Sequence, residues 1–569
     1  MNSREGTDSM EAKRAHNARN PAVSLPPELL RSVFAFCPAA ARVKPGKHIN
    51  LKKQWPPWLA ICGVCSRWRE IYVAYPQLWV MPREVARPEL LELFIARSQN
   101  LPFYLNLGIP DARSTAQFSD KVLETIQRSK SIRIRLGQGP CESQMRALDH
   151  KAAPLAEIVW IESAQALDIS QSNLFDGQLP RLRILVTVGC DIPWRDSLLR
   201  TSLTVLSIAG ITFEKRPSLD TLLNTLSRLS NLEELVLFHC LPIPTQHVHF
   251  VPAAQRIRLD RLRLFRITSR SSISLGALTA SVLVPATAVY EVCCENLREP
   301  LGPHEFHDAI LLGETIVHHY QLGDTPRDEM SITNDFLFID GDPEHEGEAM
   351  GCNLCVGVVS PARPGNEDEP IDVLERGMQS MVKLRLRWTS LEGQTLPSAH
   401  FRLQTSRLSF LYAIRGIPVA TLRGIAAVGT VMRLPAMWQL AFERAQAVTT
   451  VSAAASSAHG AIDACVLDLT PTTAISQVPE TLFPALKTMH LAHLKVNRQG
   501  EDGSLGTVYD YLRILLRTRR DAVGEDGTSK ALARLGVRDV DLTEAQTQEL
   551  GSLLSSGHID WDKTVDYPV

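Results

Sequence analysis

The residues best equipped for chemistry are two Cys-x-x-Cys pairs, Cys62 with Cys65 and Cys352 with Cys355. Two such pairs can give four thiolates to a structural zinc ion, and a single pair can cycle between dithiol and disulfide. From Cys65 to Cys352 is 287 residues, far from the spacing of a zinc ribbon. The first pair lies in a run that reads as an amphipathic helix, where cysteine packs as a small apolar residue. The second pair follows Gly351, with His345 nearby. His304, His307, His318 and His319 have no thiol or carboxylate at ligand spacing and read as packed or solvated side chains. Asp340, Asp342, Glu344 and Glu346 alternate like a cation loop but lack the order and the closing Glu of an EF-hand, so they read as a solvated turn. The sequence holds no phosphate loop, dinucleotide fingerprint, Gly-x-Ser-x-Gly elbow or kinase set. It therefore assigns no catalytic residue, no metal ligand and no cofactor, and the expectation is a protein that is not an enzyme.

The elements around these residues are those of a long, ordinary folded chain. Its 569 residues exceed one hydrophobic core and imply three or four domain equivalents or one elongated array. Hydrophobic residues make up 44% and charged residues 21%, enough apolar surface to fold. A net charge of −2 provides no general attraction to nucleic acid or an anionic membrane. The first twenty residues mix charges without an apolar run, so they read as a solvated tail and not a secretory signal. Two apolar stretches, 273–294 and 419–458, are interrupted by Pro285 and Glu291 and by Arg423, Arg433, Glu443 and Arg444; neither reads as a membrane span. Eleven cysteines, an odd number, suit a reducing compartment, so the expected location is cytoplasmic or nuclear.

The strongest local pattern begins at Ser24. Ser24 can cap a helix, Pro26 and Pro27 suit its first turn, and Glu28 favours the positive end. Leu29, Leu30, Val33, Phe34 and Cys37 recur at helical spacing as one apolar face, and Pro38 is expected to end the helix. A Lys-rich loop over 39–54 precedes a second helical candidate over 58–68 and a short third over 69–75. About 55 residues with this many Leu, Trp and Phe side chains cannot bury them all internally, so a surplus apolar face implies a partner.

Three pieces in order, Leu25-Pro26-Pro27-Glu28-Leu29-Leu30, Val64-Cys65-Ser66-Arg67-Trp68-Arg69 and Tyr75-Pro76-Gln77-Leu78-Trp79, resemble an F-box, with an insert between the first two as in fungal F-box proteins. The resemblance covers about a tenth of the chain. It implies binding to the Skp-type adaptor of cullin ubiquitin ligases, with Leu25, Pro26, Leu29, Leu30, Val64, Cys65 and Trp68 at or near that interface.

Beyond residue 100 the sequence repeats loosely. Apolar residues at relative positions 0, 3 and 5, with a further inward residue at 8, occur in Leu203, Leu206, Ile208, Ile211 and in Leu232, Leu235, Leu237, Cys240, and Leu182, Leu185, Thr187, Cys190 is a weaker match with a hydroxyl at position 5. Leu155, Ile158 and Trp160 precede them, and Leu262, Phe265 and Ile267 follow. Starts at 155, 182, 203, 232 and 262 give steps of 27, 21, 29 and 30 residues, which suit a strand and a returning segment per repeat. Leu222, Leu223, Leu226 and Leu229 supply one such helix. Later matches begin at Met381, Ile462, Leu486 and Leu532. This pattern resembles a degenerate leucine-rich repeat.

The expected fold class is therefore α/β: a small N-terminal three-helix F-box followed by an irregular leucine-rich-repeat-like solenoid. The expected organisation is a disordered tail (1–23), the F-box (24–80), a helical linker (81–100), the repeat-like substrate-binding region (101–549) and a C-terminal tail (550–569). The resemblance implies a substrate-receptor subunit of an SCF-type ligase, acting in ubiquitin-dependent protein degradation. Its partners would be the Skp-type adaptor and a protein target, with no nucleic acid and no membrane. The alternative is a protein-interaction scaffold outside any ligase, whose F-box-like segment only caps the repeats.

Overall fold

A computed structural model describes residues 19–40, 57–81, 88–111, 120–138, 145–194, 198–242, 256–285, 288–295, 335–341, 349–358, 382–389, 424–429, 432–454, 456–467, 482–497, 506–522, 529–557 and 559–562, with Ala12, Ala15 and Leu422. The chain divides into two compact units, one of Met1–Pro217 with Asn224–Leu232 and one of Ser218–Leu223 with Glu233–Val569.

In the first unit, helices and turns precede five strands: β1 (Phe103–Asp111), β2 (Ser129–Gln138), β3 (Ile158–Asp168), β4 (Ile184–Asp191) and β5 (Val205–Ala209). They pair in parallel in chain order. Alternate residues such as Leu105, Ile132, Ile134, Val159, Ile161, Leu185, Leu206 and Ile208 are buried, the period of two that a half-covered sheet requires. Gly189, near the end of β4, and Gly210, just after β5, have φ +66° and +69° and are followed by buried Cys190 and Ile211. The left-handed residue turns the chain so that the next side chain re-enters the core. At Gly189 there is a second constraint, because a Cβ there would lie 2.4 Å from the Ser163 carbonyl oxygen.

In the second unit the strands are β6 (Glu234–Phe238), β7 (Ile257–Arg258), β8 (Leu264–Ser269), β9 (Val282–Leu283), β10 (Val289–Glu295), β11 (Asp335–Gly341), β12 (Ala349–Val358), β13 (Val382–Thr389), β14 (Gly424–Gly429), β15 (Thr450–Ala454), β16 (Thr488–Leu494), β17 (Arg534–Val540) and β18 (Ile559–Asp562). Their order is β6-β8-β10-β13-β12-β11-β14-β15-β16-β17-β18, and β7 pairs separately with β9. The helices Val508–Asp521 and Glu544–Ser552 open with capping boxes, Thr507 with Asp510 and Thr543 with Gln546. Buried Arg519 ties the first of these to the Leu482 and Phe483 carbonyls at 2.9 and 3.0 Å. Gly460, in the helix Ser456–Leu467, faces the Met432 carbonyl so closely that a Cβ would sit 2.2 Å from it.

The α/β class holds, but the three-helix unit followed by a leucine-rich-repeat-like solenoid is corrected. In a solenoid each strand pairs in parallel with the next one in sequence. Here the order doubles back through β13, β12 and β11, and both β12 pairings are antiparallel. Among the described residues four α-helices lie between positions 19 and 80, not the three expected: Pro21–Ser24, Pro27–Ala40, Ile61–Val64 and Ser66–Val73. Cys65, extended at φ −157°, ψ 168°, splits the helix expected over 58–68. The helix Pro27–Ala40 runs through Pro38, where the sequence placed its end. Leu155, Ile158 and Trp160 are half-buried, while Ala156, Val159 and Ile161 fill the core, so the expected register there was one residue off. The match at Ile462, Cys465 and Leu467 is a helix. The C-terminal tail expected from residue 550 contains β18, paired with β17.

Candidate partner-docking site

The helix Pro27–Ala40 carries two apolar stripes where the sequence suggested one. Leu30 and Phe34, four apart, are buried, at 1% and 0% exposure. Leu29, Val33 and Phe36 share another face at spacings of four and three, and are 52%, 48% and 73% exposed. The inward stripe starts an aromatic chain that fills the unit. Phe34 meets Trp68 at 5.3 Å and Tyr72 at 5.8 Å, Tyr72 meets Trp79 at 5.4 Å, and Trp79 meets Phe94 at 5.1 Å between ring centroids. Trp79 Nε1 donates to the Tyr72 carbonyl at 3.1 Å, so its polar atom is satisfied in the interior. Two arginines lace the segments together: Arg67 donates to the Leu25 carbonyl at 2.9 Å and Arg69 to the Cys62 carbonyl at 2.7 Å.

The seven expected interface residues divide. Pro26 and Leu29 are exposed, Val64 is 52% exposed, and Leu25 is half-buried. Leu30 and Cys65 are internal, and half-buried Trp68 packs on Phe34. Cys65 caps the helix Ser66–Val73, its Sγ accepting from the Trp68 amide at 3.5 Å. Phe36 was not singled out from sequence; its signal was the 29–33–36 spacing, separable from 30–34 only by assigning two faces. The interior needs none of Leu29, Val33, Phe36 and Val64, so they are a surplus apolar surface.

Among the described residues the sequence's chemical candidates are not brought together. Cys62 and Cys65 are free thiols, and burial pushes the Cys62 thiol up despite the nearby Arg69 and Arg97 guanidinium groups, which disfavours the thiolate. Cys352 and Cys355 lie in β12 opposite Leu386 and Lys383 of β13. His304, His307, His318, His319, His345, Asp342, Glu344 and Glu346 lie outside the described residues. Among the described residues no group of three His, Cys, Asp or Glu is placed to hold a metal ion, and no helix is long and apolar enough to cross a membrane.

One polar row that the sequence did not reveal crosses the second unit: Ser452, His490, Gly536 and Asp560 stand in register on β15 to β18. The His490 ring lies over Gly536, where a Cβ would be 2.4 Å from Nδ1. Burial first, and then the Arg534 charge, lowers the His490 pKa to about 4, with Asp560 opposing. Arg534 is itself paired with Asp560. Nucleophilic catalysis requires a serine hydrogen-bonded to its base. Among the described residues neither Ser452 Oγ nor His490 Nδ1 has a hydrogen-bond partner, so the row is not a coupled nucleophile and base. No protein-family model and no curated protein sequence matches the chain.

Proposed function

We propose that this chain is a substrate-receptor subunit of an SCF-type cullin ubiquitin ligase. In this reading the N-terminal helical segment binds the Skp-type adaptor, and the sheet-bearing remainder binds a protein target. The observation that carries it is the stripe Leu29, Val33 and Phe36, exposed on a helix whose other stripe, Leu30 and Phe34, packs into the interior. A solvent-facing row of this kind suits insertion into an apolar groove of a partner. The test is co-purification of the full chain with a Skp-type adaptor. The reading requires binding that is lost on deleting residues 24–80. Absence of adaptor binding, or binding that survives the deletion, sinks it.

A second reading, a cap on the sheet outside any ligase, draws on the contacts that anchor this segment. Trp79 packs on Phe94, the Tyr104 amide donates to the Val80 carbonyl at 2.8 Å, and Arg128 reaches the Leu101 carbonyl and Ser98 Oγ at 2.6 and 2.9 Å. A cap accounts for these contacts but not for the exposed stripe. Target binding retained without any adaptor binding would favour the cap.

A further inference from the structure

We infer that Ser218 is a phosphorylation site, taking the terminal phosphoryl group of a nucleoside triphosphate from a protein kinase that reads basic residues ahead of its target hydroxyl. The inference stands apart from the receptor reading above. The chain holds four pairs of adjacent basic residues: Lys13-Arg14, Lys52-Lys53, Lys215-Arg216 and Arg519-Arg520. The residues two positions beyond them are His16, Trp55, Ser218 and Ala522. Only Lys215-Arg216 therefore precedes a hydroxyl at this spacing, and the apolar Leu219 follows it. Two cations at a fixed distance from the serine give an acidic enzyme groove a charged handle that the other serines and threonines lack.

The structure leaves this segment open to an enzyme. Phe213, Glu214, Lys215 and Ser218 are all exposed. Between Ile211 and Ser218 the only regular structure is the 3₁₀ turn Phe213–Lys215, so a kinase can draw the segment out without breaking a helix or a strand. Lys215 pairs with Asp168 at 3.0 Å, but both side chains are 42% exposed, and a pair in water is readily displaced. Ser218 also opens the helix Leu219–Arg228, its Oγ accepting from the Thr221 amide at 3.2 Å. A phosphate oxygen can accept that bond in its place, and the new negative charge falls at the positive end of the helix. The modified chain therefore keeps its cap. In the transfer Ser218 Oγ attacks the terminal phosphorus, and the O–P bond forms as the bond to the bridging oxygen breaks. The nucleoside diphosphate leaves with that electron pair, and the hydroxyl proton passes to a carboxylate of the kinase.

The test incubates the folded full chain with ATP and cyclic-AMP-dependent protein kinase, an enzyme selective for basic residues at these two positions, and locates the phosphate by mass spectrometry. Ser218 should be the first residue labelled. Replacing both cations, Lys215→Ala with Arg216→Ala, should slow labelling of Ser218 by about tenfold or more, and Lys215→Arg should leave it fast. A variant that merely misfolds would free the serine and speed its labelling, so slowing reports recognition. Leu29→Asp should be labelled at the native rate, which keeps failure of the adaptor reading distinguishable from failure of this one. No phosphate on Ser218 of the folded chain, or an unchanged rate in the double variant, overturns the inference.

Discussion

Lowering the pH should destabilise the second unit through His490, and the size of the effect follows from its surroundings. The ring is 7% exposed and lies over Gly536 beside Arg534, so the charged form is disfavoured and the pKa falls from 6.5 to about 4. Between those two values the unfolded chain binds a proton that the folded chain refuses. Folding stability is therefore whole above about pH 6.5, falls as the pH drops, and has lost the full contribution below about pH 4. At 1.36 kcal/mol per pKa unit the total is about 3 kcal/mol, and most of it is gone by roughly pH 4.5. The assay is denaturant unfolding at about pH 7 and about pH 4.5 for the native chain and His490→Phe, which keeps a flat ring over Gly536 but cannot titrate. The native chain should lose about 2–3 kcal/mol more than the variant. Parallel losses would show that His490 is not held neutral in the folded state.

Four other substitutions probe the packing. Gly189→Ala puts a Cβ at positive φ and 2.4 Å from the Ser163 carbonyl oxygen, and should cost about 2 kcal/mol or more by denaturant unfolding. Gly63→Ala, with nothing within 4 Å of the new Cβ, should be neutral or slightly stabilising in the same assay. Gly460→Ala drives a methyl against the Met432 and Arg433 carbonyls and should lower the unfolding midpoint, because backbone must move to admit it. Thr187→Val should raise stability by about 1 kcal/mol, since the Thr187 hydroxyl is fully buried and has no hydrogen-bond partner among the described residues.

Much of the first unit was legible because its strands bury one face and show the period directly. Leu182, Leu185, Thr187 and Cys190, and Leu203, Leu206, Ile208 and Ile211, are all buried as their spacing required. The register failed at β3, where Ile158 and Trp160 are as apolar as Val159 and Ile161, so hydrophobicity could not tell the two faces apart. The reversal through β13, β12 and β11 was hidden for another reason: it depends on which distant strand each one pairs with, and local spacing carries no such information. At the docking site the helix and its apolar content were evident. Its division into two stripes was not, because Leu29 and Leu30 are adjacent and chemically identical. Only the packing of Phe34 against Trp68 and Tyr72 shows which one turns inward. The polar row of Ser452, His490 and Asp560 joins residues from three separate strands and left no local trace.

The most direct test of the central claim measures the affinity of the full chain for a Skp-type adaptor alongside its folding stability, for Leu29→Asp and Leu30→Ala. Leu29 is half exposed and Leu30 is 1% exposed, so the two substitutions should separate. Leu29→Asp should leave the unfolding midpoint nearly unchanged and abolish adaptor binding, because it places a charge in an apolar interface. Leu30→Ala should cost about 2–4 kcal/mol of stability, yet still bind at temperatures where the chain stays folded. Adaptor binding that survives Leu29→Asp in a folded chain would contradict the account.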